Sequence, residues 1–244
     1  MAKGKDKKEY IIEYNMTFVS ILSLILLFIM VGITAILNVT NIIKIGQDEF
    51  SLLFGKQILI FFIVMILWMV LHEIIHGIAY ELTGAKRKDI LYGVSLENGV
   101  FYCKCKEYIN KKCIITSLLS PFILIGVVTY IIGIICSNVW LISLSIVNIS
   151  GASGDLMMFF FFLKQNDDVM FRELGFSSPA VVKTSENITY NKYIGIKNIR
   201  EVTDQKEVTE GEEKKITISK ASWFIIIGML ILFIVDYLLI YVLK

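Results

Sequence analysis

"LWMVLHEIIHGIAYELTG", residues 67–84, is greasy enough to lie in a membrane, yet it holds two histidines and a glutamate within five positions. His72 and His76 are the only histidines in the chain. The stretch closes a longer apolar run, Ile58–Leu82, which exceeds the roughly 20 residues a helix needs to cross a bilayer. The run is therefore expected to be a membrane-spanning helix. On such a helix positions i and i+4 share a face, so the two imidazoles stand one turn apart. Polar side chains inside a span are costly and mark functional sites by default.

The surrounding chain has the same character. Its 244 residues are 56% hydrophobic with a mean hydropathy of +0.69, far from an ordinary soluble domain. Five spans are expected: Thr17–Leu37, Ile58–Leu82, Ile114–Cys136, Val139–Leu163 and Ser222–Leu243. The expected fold class is an all-α integral membrane bundle of about five transmembrane helices with small β-like elements in its cytoplasmic loops. Three divisions follow: a membrane core with its tail over 1–163, a polar cytoplasmic segment over 164–220, and a C-terminal transmembrane helix over 221–244. The tail, the loop 83–113 and the segment 164–220 hold 21 of the 24 basic residues. The positive-inside rule places these three in the cytoplasm, with the N-terminus inside and Lys244 outside. No cleavable signal peptide is expected, because the first apolar run is too long and lacks an A-x-A-like end. The Lys- and Ile-rich composition points to a bacterial cell membrane. In the loop, "LYGVSLENGVFYCKCKEY" carries two strand-like runs around Glu97-Asn98-Gly99, a hairpin signal. "ENITYNKYIGIKNIREV" and "KKITISK" alternate in a similar way.

His72-Glu73-Ile74-Ile75-His76 is H-E-x-x-H. Two imidazoles one turn apart can reach one Zn²⁺ at about 2.0–2.1 Å. Glu73 projects roughly 100° around the helix from His72, where it acts as acid/base rather than as ligand. A catalytic zinc needs a third protein ligand and an open position. The metzincin extension fails, since Ala79 and Leu82 stand where it wants Gly and His. Glu81 points almost opposite to His72. Glu97 and Glu107 fall at distances a gluzincin would use, but they sit in the polar loop. Asp155, in "NISGASGDLMMFFFF", is the better candidate. Spans 2 and 4 run in the same direction, and the three residues lie roughly 10–16 Å from the cytoplasmic boundary at 1.5 Å per residue. The small residues Ser150 to Gly154 allow close helix approach. Asn148, on the same face, is a candidate supporting hydrogen-bond group. Asp236 of span 5 counts to roughly 20 Å deep, beyond the histidines, and is read as interfacial. Pro121 is expected to kink span 3. Of the four cysteines, Cys103, Cys105 and Cys113 crowd one loop. Apolar filler is the plainer reading; half of a metal site is the other.

With these residues in view, the chain resembles the DUF3267 family of zincin membrane peptidases. More broadly it is similar to site-2 proteases, the intramembrane zinc metalloproteases. The resemblance covers roughly residues 67–175 and rests on "HEIIHG", "YGVSLENGVFYC", "LLSPF" and "SGASGDL". It implies that His72, His76 and Asp155 bind Zn²⁺ and that Glu73 is the catalytic acid/base. It implies hydrolysis of peptide bonds in membrane-associated substrates near the cytoplasmic face. Asp155 sits in S-G-D-L rather than in the N-P-D-G or L-D-G setting of site-2 proteases, and no PDZ domain is visible. The expected partners are the lipid bilayer and a membrane protein or peptide substrate, with no nucleic acid. A non-catalytic zinc-binding membrane protein, such as a sensor or transport accessory, and a metal-free scaffold are the alternatives.

Overall fold

The computed structural model describes residues 7–45, 58–95, 100–174, 180–188 and 195–203. The elements run β1 (Lys8–Tyr14), α1 (Met16–Val39), α2 (Ile58–Leu82), β2 (Ile90–Ser95), β3 (Val100–Cys105), β4 (Ile109–Asn110) and α3 (Lys111–Pro121). A π-helical stretch, Phe122–Val128, leads into α4 (Thr129–Ile135). Then come α5 (Val139–Gly151), α6 (Ser153–Leu163), β5 (Met170–Glu173), β6 (Ala180–Thr184) and β7 (Ile196–Glu201).

Among the described residues, three helical stretches are long and apolar enough to cross a membrane: Met16–Val39, Ile58–Leu82 and Lys111–Ile135. They mark a membrane protein. A fourth crossing counts only if α5 and α6 are taken as one span, and these are bent by 49° at their junction. The fold is therefore not an all-α bundle of five. Over the described residues it is a helical layer with two antiparallel sheets, one of five strands in the order β4-β5-β6-β1-β7 and one of two, β2-β3. The fifth expected span, Ser222–Leu243, Asp236 and the "KKITISK" run lie outside the described residues, as does the Glu97-Asn98-Gly99 turn. The hairpin around that turn is present, with Ile90 opposite Cys105 and Tyr92 opposite Cys103.

The larger correction comes from the N-terminal tail. Residues 8–14, KEYIIEY, form the strand between β6 and β7, with Ile11 opposite Val181 on one side and Arg200 on the other. Beside a run of lysines this short segment looks solvated. Its aromatic and β-branched residues, Tyr10, Ile11, Ile12 and Tyr14, are nonetheless strand-like, and both faces are covered. Ile12, Val182, Ala180 and Phe171 pack against the helices. Ile11, Val181 and Leu174 form a separate cluster on the opposite face. The joint is aromatic: Phe162 of α6, fully buried, meets Phe171 of β5 edge-to-face at 5.0 Å. Burying one such ring is worth roughly 1.5–3 kcal/mol.

Asparagines fix where the helices start. Asn15, Asn110 and Asn138 each accept a backbone N–H three residues on, capping α1, α3 and α5. Asn110 also ends β4, so one residue ties the sheet to α3. α1 buries none of its residues and shows Ile25, Phe28 and Ile36 outward, as a helix bathed in lipid does.

Candidate metal centre

The site is assembled by α2, α3, α5 and α6. His72 and His76 stand one turn apart with their rings edge-to-face and centroids 4.8 Å apart. Their Nε2 atoms are 3.1 Å apart. Asp155 enters from the first turn of α6, with Oδ2 3.1 Å from His72 Nε2 and 3.5 Å from His76 Nε2. The bend after Gly151 supplies the direction: a break in a helix at membrane depth persists where it is buried in protein or lines a cavity.

The remaining ring nitrogens define the protonation pattern. His76 Nδ1 lies 2.9 Å from the Ser117 carbonyl oxygen, which can only accept, so Nδ1 carries the hydrogen. The Ser117 hydroxyl donates to the His76 main-chain carbonyl at 3.1 Å. On the other side, Asn148 Nδ2 donates to the Pro121 carbonyl at 3.2 Å. That fixes the amide, so its oxygen faces His72 Nδ1 at 2.8 Å and accepts from it. A neutral imidazole has one N–H. Both Nε2 atoms therefore present lone pairs, and with Asp155 Oδ2 they make three acceptors converging on one point. Donor atoms held at 2.0–2.1 Å around a tetrahedral ion lie about 3.3 Å from one another. Edges of 3.1, 3.1 and 3.5 Å match such a face, so the donor set fits zinc.

Glu73 adds a fourth group, its ligand atom lying within 4.8 Å of those of both histidines. The Cys103 backbone N–H of β3 donates to the Glu73 carboxylate. These groups open into a cavity of about 360 Å³ whose far wall belongs to the sheets. Tyr14 of β1, Phe101, Tyr102 and Lys104 of β3, and Glu173 of β5 line that wall. Glu173 is absent from any reading of the sequence, because a glutamate in a charged segment looks solvated. Burial pushes its carboxyl up to about 7, and the carboxylates of Asp155 and Glu73 act in the same sense. The Tyr14 hydroxyl is sealed with no hydrogen-bond partner among the described residues.

The other expected groups fall elsewhere. Glu107 is exposed and lines a separate cavity beyond β3, while Glu97 lies outside the described residues. Glu81 is exposed at the end of α2. Cys103, Cys105 and Cys113 are buried free thiols, and burial pushes the Cys103 thiol up to about 12. Among the described residues no metal-ligating cluster contains a cysteine.

No curated protein and no solved structure matches the chain. The segment that carries both histidines, Glu73, Ser117, Pro121, Asn148 and Asp155, residues 65–170, matches the model of the DUF3267 family, described as "Putative zincin peptidase".

Proposed function

We propose that the protein is a zinc-dependent metallopeptidase of the membrane that hydrolyses peptide bonds of membrane-associated substrates near the cytoplasmic face. The observation that carries this reading is the convergence of three lone-pair acceptors, at separations fitting a tetrahedral ion, beside a carboxylate that reaches them. His72, His76 and Asp155 would hold the ion, which when bound supplies Lewis acidity toward a peptide carbonyl and toward water. The chain's own residues do the rest. Asn148 and Ser117 keep both Nε2 lone pairs turned inward. Glu73 accepts a proton from water on its carboxylate and returns it to the departing amine nitrogen. Leu118, Met157, Met158 and Phe101 give the cavity apolar walls that take side chains and thin out bulk water.

The test is metal content and cleavage measured together on the detergent-solubilised full chain. Wild type is expected to hold about one zinc per chain, and Glu73→Gln to keep the metal and lose cleavage of a labelled transmembrane peptide. Metal retained with cleavage unaffected by Glu73→Gln would remove Glu73 from the chemistry. Metal without any cleavage would favour the zinc-binding, non-catalytic alternative. Metal retained in Asp155→Ala but lost in Glu73→Gln would make Glu73 the third ligand.

A further inference from the structure

Resting on that metal reading, we propose that Pro121 is a positioning residue for both histidines, acting through two main-chain carbonyls at the break it creates in the third span. In an α-helix the N–H of residue i serves the carbonyl of residue i−4. Residue 121 has no N–H, so the Ser117 carbonyl loses its helical donor. The next N–H does not replace it, because Phe122 donates to Leu119. Ser117 is fully buried, so water is not there to compensate. The vacant acceptor is filled by His76 Nδ1–H at 2.9 Å. The proline thus leaves an acceptor inside the bundle, and the imidazole occupies it.

The second carbonyl is that of Pro121 itself. The helix widens immediately beyond it into the π-helical stretch Phe122–Val128, a form that recurs at functional sites. There the Pro121 carbonyl accepts from Asn148 Nδ2, which turns the Asn148 oxygen to His72 Nδ1–H. Gly126, inside the same stretch, makes the approach possible: a Cβ there would stand 2.9 Å from Ile149 Cγ1 and 3.2 Å from Asn148 Nδ2. One break therefore serves both ligands, His76 directly and His72 through Asn148. Each Nδ1 is committed as donor, and each Nε2 is left as a lone pair. Had residue 121 carried an N–H, the Ser117 carbonyl would be claimed by its own helix, and the His76 ring would lose the partner that sets its tautomer and its rotation.

The experiment is a Co²⁺ titration of the full chain in nanodiscs, reading affinity and the visible d–d spectrum for wild type, Pro121→Ala and Asn148→Leu. Alanine restores the N–H and favours helix, so thermal unfolding of the metal-free Pro121→Ala protein should hold or rise. Its Co²⁺ affinity should fall about 10–100-fold, the range seen when the partners of metal-bound histidines are removed, and its spectrum should change. Asn148→Leu should lose affinity in the same range through His72. Wild-type affinity and spectrum in Pro121→Ala would overturn the proposal. Should Pro121→Ala unfold, Asn148→Leu decides: a loss supports the relay and wild-type affinity overturns it. Absence of Co²⁺ binding by the wild-type protein would overturn the underlying metal reading and this proposal with it.

Discussion

Among the described residues, two polar clusters interrupt the apolar helices, and they close in opposite ways. In one, the Thr34 and Tyr130 hydroxyls lie 2.7 Å apart, and Thr34 also donates to the Met30 carbonyl. Thr129 and Ser145 repeat the pattern, 2.7 Å apart, each beside a carbonyl one turn back on its own helix. A hydroxyl both donates and accepts, so such pairs satisfy themselves and lock helix to helix. In the other, His72, His76 and Asp155 turn three acceptors toward one point with their donors committed outward. That arrangement is complete only with a cation at its centre, be it a proton or a metal. A polar group within a span is thus not sufficient to mark a site; what matters is whether its hydrogen-bonding capacity is already spent.

The sharpest way to break this contrast is to remove an acceptor from each cluster. His72→Ala or Asp155→Ala should bring zinc content, measured by mass spectrometry of the purified protein, from about one per chain to near none. Thr34→Val should leave it unchanged. Next in size, Glu73→Gln should lower cleavage by about 10²–10⁴-fold, the usual weight of a general acid/base, with zinc retained. Protons compete for the same Nε2 lone pairs, so zinc retention under a fixed chelator should weaken as pH falls. Equal retention at pH 5 and pH 8 would contradict inward-facing lone pairs.

A smaller effect concerns the sheet wall. The Glu173 carboxyl is held above its ordinary 4.5, at about 7. Its folded form binds the proton more tightly than the unfolded chain does. The stabilisation is full below about 4.5 and is lost as pH rises through about 7. In metal-free protein the melting temperature should therefore drop by roughly 5 °C between pH 5 and pH 8, and Glu173→Gln should flatten that slope. The smallest effect belongs to the self-satisfied cluster: Ser145→Ala should destabilise by about 0.6 kcal/mol, typical of a hydrogen bond between membrane helices.

How much of this was written plainly in the sequence depends on the range of the interaction. The spacing of His72, Glu73 and His76 is local, and a helix turns it into geometry without help. Asp155 is 83 residues from His72, yet counting residues from the ends of parallel spans brings the two to one level, so its placement was legible too. Pro121 was legible only as a kink; which carbonyl it frees is fixed, but what comes to fill that carbonyl depends on another helix. The bend between α5 and α6 hid behind a row of small residues that equally well permits close packing of a straight span. β1 was hidden by the lysines beside it, and Glu173 by its charged neighbours. Both owe their burial to strands far away along the chain, which no local pattern records.

The pairing of Lys8 with Thr184 has a consequence for how the chain is made. β1 leaves the ribosome immediately ahead of α1, yet neither of its neighbours exists until about 170 further residues have been translated. At 5–20 residues per second that is an interval of roughly ten to thirty seconds. During it a strand with tyrosines on one face and isoleucines on both waits without a neighbour, and the wall of the cavity closes only once β6 and β7 have been made.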